Sequence, residues 1–266
     1  LAGRTPNPCI ACNRYVKWES LLQRSLEIGA DYIATGHYAK VVKLSNGRYA
    51  IANSVTAEKD QTYALYNLTQ RQLEHTLMPV GAYEKKKVRQ MAQEAGLPVA
   101  SKPDSMEICF VPDGDYAGFI EANTECPVPE GNFVTADGTV VGRHKGITHY
   151  TVGQRKGLGL SMGHPVFVLQ IRPETNEVVV GDSEEVFTDR LTCDRLNFMS
   201  VPDIEEETRV LAKIRYNHRG APATVVKTGA DCAQVVFDDP VRAVTPGQAV
   251  VFYRDGVVLG GGTITG

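Results

Sequence analysis

The apolar positions near the start of the chain recur at helical spacing. In the segment KWESLLQRSLEIG, the side chains of Trp18, Leu21, Leu22 and Leu26 fall on one helical face. Gly29 follows them and suits the position just after a helix end, where a left-handed backbone is common. The pattern therefore predicts an amphipathic helix that ends at Gly29.

Strand and helix patterns alternate over the next 75 or so positions, which together with the first helix make up a first region of residues 1–104. DYIATGHYAKVV predicts a short strand, a turn and an extended run, and VVKLSNGRYAIA predicts a hairpin that turns at Asn46-Gly47. TQRQLEHTL and YEKKKVRQMAQEAGLP predict two helices, the first capped by Thr69 and the second ended by Gly96. This order indicates an α/β layer with a parallel sheet, and the shortage of strands predicts a domain truncated at its front.

Strand patterns dominate the remainder of the chain. Residues 105–200 read mostly as strands with one short helix, DYAGFIEAN, and residues 201–266 hold five short alternating strands separated by turn residues. The latter pattern is typical of a small β-barrel. We therefore expect an α/β domain at 1–104, a central domain at 105–200 and a C-terminal β-barrel at 201–266.

Composition narrows the class of protein. The 266 residues include 28 basic and 31 acidic side chains, so the chain is no polycation, although a local basic patch could still hold a nucleic acid. No apolar run approaches the roughly 20 residues of a membrane helix, and the polar start LAGRTPNP is no signal peptide. Six cysteines spread over the whole length favour a cytoplasmic protein with reduced thiols. The absence of an initiating Met is consistent with a fragment.

Cys9 and Cys12 form a CxxC pair whose chemistry the local pattern leaves open. A zinc site needs further Cys or His ligands at short spacing, and no second CxxC exists. A redox pair, a nucleophile and two structural cysteines all remain compatible with the pattern. Cys109 lies in KPDSMEICFVPDGDY, where mostly polar residues precede it and Phe110 and Val111 follow it. This pattern suits either a reactive or a buried cysteine.

Several other positions could carry chemistry, and each has a plain structural alternative. Gly36 and His37 follow a predicted strand, where ligands bind in open α/β sheets. Asp60 could cap a helix or contact a ligand. The stretch 143–156 holds four Lys or Arg, two His and no acid, which suits phosphate contacts or simply a solvated face. In the predicted barrel, KIRYNHRG and TPGQ suit nucleic-acid binding or tight turns.

Taken together and in this order, these segments resemble one family, the tRNA-specific 2-thiouridylases. The matching segments are GRTPNPCIACN, ADYIATGHYA, EKDQTYAL, LPVASKPDSMEICF, HYTVGQRKGLG, AKIRY and AVTPGQAVVFY, and they span essentially the whole chain. The resemblance implies an adenine-nucleotide α-hydrolase-like (Rossmann-like, PP-loop) domain, a central tRNA-binding domain and a C-terminal β-barrel. The PP-loop itself is not in this sequence, so by this comparison the first domain is partial and the chain alone is incomplete for ATP activation.

The resemblance also implies a reaction: ATP-dependent 2-thiolation of the wobble uridine, position 34 of tRNA. Cys109 would carry a persulfide, Cys12 would be the nucleophile, and a transient Cys12–Cys109 disulfide would close the cycle. Many family members have Asp where this chain has Cys9. Cys9, Cys12 and Cys109 could therefore bind a [4Fe–4S] cluster instead, which gives a cluster-dependent alternative.

The remaining roles follow from the same resemblance. Mg-bound ATP would contact Gly36. The tRNA would contact the following residues: Asn7, Pro8, Cys9, His37, Lys59, Asp60, Gln61, Arg215, Tyr216 and Gln248. The partners would be a tRNA with a wobble uridine and a sulfur-relay or cysteine-desulfurase donor protein, with no membrane. Two competing hypotheses are a non-catalytic tRNA-binding fragment and a metal-bound structural module.

Overall fold

The computed structural model describes residues 1–101 and 108–266. The chain opens with a continuous helix made of α1 (Pro8–Ala11), a π-helical stretch (Cys12–Leu21) and α2 (Leu22–Glu27). Trp18 and Leu22 are buried, whereas the predicted inward position of Leu21 is wrong, since this side chain is exposed. The π-helical stretch bonds residues five apart, so its side chains do not keep α-helical spacing. Gly29 has φ +89° and ends the helix as predicted.

The predicted parallel sheet is present as two short strands. These are β1 (Ile33–Ala34) and β4 (Thr76–Leu77), which pair in parallel. The predicted hairpin is confirmed as β2 (Ala39–Lys43) and β3 (Tyr49–Asn53), with Gly47 at φ +83° in its turn. The predicted helices are α3 (Gln70–Glu74), which Thr69 caps, and α4 (Lys85–Glu94). Single 3-10 turns lie at Ala57–Lys59, Thr62–Leu65 and Pro79–Ala82.

The central region is a four-stranded sheet preceded by one helix, α5 (Tyr116–Ala122). Its strands are β5 (Gly131–Val134), β6 (Val140–His144), β7 (Phe167–Arg172) and β8 (Glu177–Gly181), in the order β6-β5-β8-β7. Strands β5 and β8 are parallel, and the other pairs are antiparallel. Short 3-10 turns lie at Ile147–His149 and Glu184–Val186. The boundary predicted at residue 104 lies outside the described residues.

The C-terminal region is a closed barrel. Its strands are β9 (Phe187–Phe198), β10 (Thr208–Lys213), β11 (Ala221–Lys227), β12 (Cys232–Arg242), β13 (Ala249–Arg254) and β14 (Val257–Ile264). They follow the order β13-β10-β11-β12-β9-β14, and the pairing of β13 with β14 closes the ring. The five predicted strands are all present, and β9, which lies before residue 201, completes the barrel. Its sequence FTDRLTCDRLNF buries only Leu191 and Cys193, so its strand pattern is weak.

The outer face of the barrel supports the N-terminal region. One apolar core joins Trp18 and Tyr63 to Val251, Tyr253 and Val258 of the barrel. The approach is close, because a Cβ on Gly261 would lie 2.6 Å from the ring of Tyr66. No helix within the described ranges is long and apolar enough to cross a membrane. The barrel thus serves as the platform on which the first region, with its CxxC pair, is built.

Candidate functional site at the CxxC segment

The CxxC pair lies in the first turns of the N-terminal helix. Asn7 caps that helix, since its Oδ1 accepts hydrogen bonds from the backbone N–H groups of Cys9 (3.0 Å) and Ile10 (3.4 Å). Pro8 occupies the first helical position, where its missing N–H costs nothing. Asn7 and Pro8 therefore fix where the helix begins and hold Cys9 exposed and Cys12 half-buried.

Cys109 comes from a distant part of the sequence, and its charge acts on Cys9 of this pair. Burial raises the pKa of the Cys9 thiol, the negative charges of Cys109 and Cys12 raise it further, and the positive charge of Lys17 lowers it. All three thiols are free, and both Cys9 and Cys109 are exposed.

Lys17 is held beside the cysteines by two buried neighbours. Its Nζ donates to Asn13 Oδ1 (2.9 Å) and lies 3.5 Å from His37 Nε2. Asn13 is itself fixed, because its Nδ2 donates to the carbonyl oxygen of Ala64 (2.8 Å). Lys17 follows Cys12 by five residues in the π-helical stretch, so both lie on the same side of the helix. The ammonium of Lys17 is therefore held in a fixed position at the site.

His37 is buried, and it faces this lysine. Burial and the charge of Lys17 lower the pKa of His37 to about 4, so the ring is neutral at pH 7. An ammonium can only donate, so Nε2 accepts from Lys17 and Nδ1 donates to Thr35 Oγ1 at 2.7 Å. Here His37 orients the lysine, whereas the resemblance implies a tRNA contact.

Tyr216 brings the barrel to the edge of the site. Its ring is 40% exposed and meets the buried ring of Tyr63 edge-on, with centroids 6.3 Å apart. Burial raises the pKa of Tyr216, and the charges of Asp60 and Cys9 raise it further. An exposed aromatic ring beside the CxxC segment is suited to stacking on a nucleotide base.

Residues 59–61 brace the loops around the site. Asp60 Oδ2 accepts from the N–H of Ser54 (2.8 Å), and Oδ1 accepts from the N–H of Thr62 (3.1 Å). Gln61 Oε1 accepts from the N–H of Tyr38 (2.9 Å), next to His37. Lys59 ends the adjoining 3-10 turn. The side chains of Asp60 and Gln61 thus have internal partners in addition to any role on tRNA.

The TPGQ turn of the barrel holds the segment that precedes the CxxC pair. Gln248 Nε2 donates to the carbonyl oxygen of Thr5 (2.7 Å), and the Thr5 N–H donates to Pro246 O (2.9 Å). Gly247 has φ +92°, and a Cβ there would lie 3.0 Å from both Thr5 N and Arg4 Cβ. Gln248 is therefore engaged with the chain itself.

The central region reaches the same junction. Thr5 Oγ1 lies 3.4 Å from Thr151 Oγ1, and Arg242 Nη2 donates to Gly153 O (3.3 Å). Arg215 is half-buried and donates to the carbonyl oxygens of Arg242 (2.9 Å) and Ala243. Burial lowers the pKa of Arg215, and the charge of Arg242 lowers it further. Arg215 thus supports the contact between the barrel and the central region.

The basic stretch divides into bound and exposed members. His144 is buried against Phe133, and His149 Nε2 lies 3.1 Å from Glu121 Oε1. Arg143 lies 3.8 Å from Glu130 across an exposed surface, whereas Arg155 and Lys156 are exposed in the turn after Thr151. Only part of the stretch is therefore placed to meet a polyanion.

The two predicted cofactor sites differ in their surroundings. Gly36 is exposed two residues after the end of β1, and nothing lies within 4 Å of where its Cβ would be, so a ligand can approach the backbone there. Among the described residues, which include all three cysteines, no group of three or more His, Cys, Asp or Glu side chains is arranged to hold a metal ion.

Sequence reasoning missed Lys17, Asn13 and Thr5. Lys17 follows Cys12 by five residues, and this spacing brings two side chains to the same side only in a π-helix. No local sequence pattern predicts the π-helix here. The role of Thr5 depends on a partner 243 residues away. Neither contact has a local sequence signal.

Comparison with known proteins places each region in a family. Residues 1–113 match the family described as tRNA methyl transferase HUP domain, and residues 119–182 match the tRNA methyl transferase PRC-barrel domain. Residues 188–264 match the aminomethyltransferase beta-barrel domain. These matches and the strand order confirm the predicted succession of an α/β domain, a central domain and a C-terminal β-barrel.

Whole-chain relatives agree with the domain matches. The chain is 64% identical to the tRNA-specific 2-thiouridylase MnmA of Lachnoclostridium phytofermentans over 99% of its own length and 74% of the relative. It is 56% identical to the protein of that name from Acetivibrio thermocellus (99% and 74%) and 52% identical to that from Clostridioides difficile (99% and 73%). On this similarity, the chain belongs to the tRNA-specific 2-thiouridylase family.

Proposed function

We propose that the protein is a tRNA-uridine 2-sulfurtransferase that replaces the C2 oxygen of the wobble uridine with sulfur, using Cys109 as persulfide carrier and Cys12 as nucleophile. Membership of the 2-thiouridylase family supports the substrate and the reaction. The observation that carries the residue assignment is that Cys109, an exposed free thiol, lies within electrostatic reach of Cys9, while Cys12 follows Cys9 on the same helix. Two thiols that exchange a sulfur atom must come within bonding distance of each other.

The proposed chemistry balances with these two cysteines. ATP would first adenylate the C2 oxygen, with release of pyrophosphate. The terminal sulfur of the Cys109 persulfide then bonds to C2, and the C2–O bond breaks as the oxygen leaves with AMP. The Cys12 thiolate then attacks Cys109 Sγ, the sulfur–sulfur bond breaks, and its electron pair leaves with the sulfur on C2 as a thiocarbonyl. The products are 2-thiouridine and a Cys12–Cys109 disulfide, which thiols must reduce before the next cycle.

The surroundings suit these roles. Lys17 supplies a fixed positive charge on the same side of the helix as Cys12, and this charge acts to lower the pKa of Cys9. Tyr216 offers an exposed ring beside Cys9, and a target base must leave its stack to reach the thiols. ATP, as Mg-bound nucleotide, supplies the activation that makes the C2 oxygen a leaving group, and exposed Gly36 offers open backbone for it.

The test is thiolation of a transcript of a wobble-uridine tRNA with ATP and a persulfide donor. We expect Cys12→Ser and Cys109→Ser each to abolish 2-thiouridine, whereas Cys126→Ser, an exposed free cysteine outside the site, retains it. Activity in either of the first two variants would overturn the assignment. Tight tRNA binding without thiolation by the unmodified chain would favour the non-catalytic fragment.

A cluster-dependent reaction is the second candidate, because Cys9, Cys12 and Cys109 are all free and the charges of the other two act on Cys9. Three thiolates can hold a [4Fe–4S] cluster and leave one iron open for sulfide. The described geometry is not arranged as a metal site, so cluster binding would require the cysteines to rearrange. Stoichiometric iron and acid-labile sulfide after anaerobic purification, lost together with activity in Cys9→Ser, would favour this candidate.

A further inference from the structure

The persulfide relay uses Cys12 and Cys109 and gives Cys9 no part in the sulfur chemistry. We propose, on the basis of the proposed function above, that Cys9 is a resolving thiol that attacks the Cys12–Cys109 disulfide and moves it into the CxxC pair. Cys109 is then free to accept the next persulfide while the Cys9–Cys12 disulfide awaits reduction.

The position of Cys9 meets the requirements of a resolving thiol. Residues three apart in a helix are neighbours on its surface, and Asn7 fixes the turn in which Cys9 and Cys12 lie. Cys9 is exposed, so a reductant can reach a disulfide formed there. The charges of both Cys109 and Cys12 act on Cys9, so Cys9 is within electrostatic reach of both partners of the catalytic disulfide.

The charges around Cys9 favour its attack after the Cys12–Cys109 disulfide has formed and not before. Partial burial raises the pKa of Cys9, and negative charge on Cys109 and Cys12 raises it further, so ionised Cys109 and Cys12 disfavour the Cys9 thiolate and its attack on the persulfide. Once these two cysteines form a disulfide, they are neutral and that opposition ends. Lys17 remains and favours the Cys9 thiolate. Cys9 thus becomes a better nucleophile when its target disulfide exists.

The step is an exchange without net oxidation. Cys9 loses its proton to solvent, and its Sγ attacks Cys12 Sγ. The Cys12–Cys109 bond breaks and the Cys9–Cys12 bond forms, with the electron pair leaving on Cys109 Sγ as a thiolate. A dithiol reductant then donates two electrons to the Cys9–Cys12 disulfide.

The test needs neither tRNA nor ATP. The protein is treated with glutathione persulfide, excess reagent is removed, and Cys12 is allowed to displace hydrosulfide from the Cys109 persulfide. Released sulfide is measured, and disulfides are mapped by alkylation and mass spectrometry of peptides without reduction. We expect the wild type to accumulate the Cys9–Cys12 disulfide with Cys109 alkylated. In Cys9→Ser we expect that species to be lost and the Cys12–Cys109 disulfide to persist.

Two outcomes separate this proposal from the one on which it rests. If sulfide is released but the wild type stops at Cys12–Cys109 with Cys9 alkylated, the resolving role is overturned and the relay stands. If no sulfide is released and no disulfide joins Cys12 to Cys109 in Cys9→Ser, the relay itself fails. Cys126→Ser is the matched control and should give the wild-type disulfide pattern.

Discussion

At the scale of single residues, His37 gives the N-terminal region a pH dependence. The pKa of His37 is about 4 in the folded protein and about 6.5 when unfolded, so the unfolded chain binds more protons between these values. The free energy of unfolding therefore falls as the pH drops from 6.5 to 4, by about 3 kcal/mol in total from this residue.

The measurement is urea unfolding followed by fluorescence of Trp18, the single tryptophan, whose ring lies 5.6 Å from that of His37. In His37→Gln we expect a shallower loss of stability from pH 6.5 to 4 than in the wild type. His164→Gln, at an exposed histidine of the central region, is the control and should keep the wild-type slope. Equal slopes in His37→Gln and the wild type would contradict the assignment.

Lys17 opposes the rise in the pKa of Cys9 that partial burial and the charges of Cys109 and Cys12 cause. Since its charge lowers the pKa of Cys9, Lys17→Met should raise that pKa and move alkylation of Cys9 to higher pH. Lys17→Arg keeps the charge and should stay close to the wild type. Iodoacetamide labelling rates across a pH series, read by mass spectrometry, measure the shift. An unchanged profile in Lys17→Met would mean that the ammonium does not act on this thiol.

At the scale of elements, the barrel turn and the CxxC segment form one unit. Gln248→Ala removes the hydrogen bond to Thr5 O and should cost about 1 kcal/mol locally. We expect faster amide exchange over residues 5–12 and a lower kcat, with tRNA affinity preserved. Gln234→Ala, on β12 of the same barrel, is the matched control. Weaker tRNA binding with unchanged exchange would instead support the direct tRNA contact implied by the resemblance.

Elements with local signals were predictable from the sequence, and elements that depend on distant partners were not. Thr69 caps α3 and Asn46-Gly47 turns the hairpin, because both act within a few residues. The π-helical stretch and strand β9 carry no such signal. Among the site residues, the type of chemistry followed from the cysteines and the resemblance. The hydrogen bond from Gln248 to Thr5 could be found only from the structure, because the two residues are far apart in the sequence.

At the scale of the whole molecule, three regions meet at the CxxC segment. Thr5 is bound by the barrel through Gln248 and approached by the central region through Thr151. Arg242 links barrel and central region through Gly153 and lies 4.9 Å from the ring centre of Phe167. The barrel and the central region therefore both support the segment that carries the cysteines.

Arg155 and Lys156 are exposed in the central region, close in sequence to Thr151 and Gly153. We expect them to contribute to tRNA binding through their charge. Each phosphate that the protein no longer neutralises reduces the slope of log Kd against log salt by roughly 0.7 to 0.9, so Arg155→Gln with Lys156→Gln should reduce it by about 1.5. Binding should weaken for any tRNA sequence, since phosphates carry no sequence information. Fluorescence anisotropy across a salt series measures the slope.

The control for this pair replaces the exposed neighbours Lys86 and Lys87 of α4 by Gln. If tRNA binds along the central region and the barrel, these changes should leave the slope of log Kd against log salt unchanged. An equal decrease of the slope in both double variants would show that tRNA is attracted by the overall charge of the chain and not by Arg155 and Lys156 in particular. The reason is that a long-range field depends on the number of lysines and arginines more than on their positions.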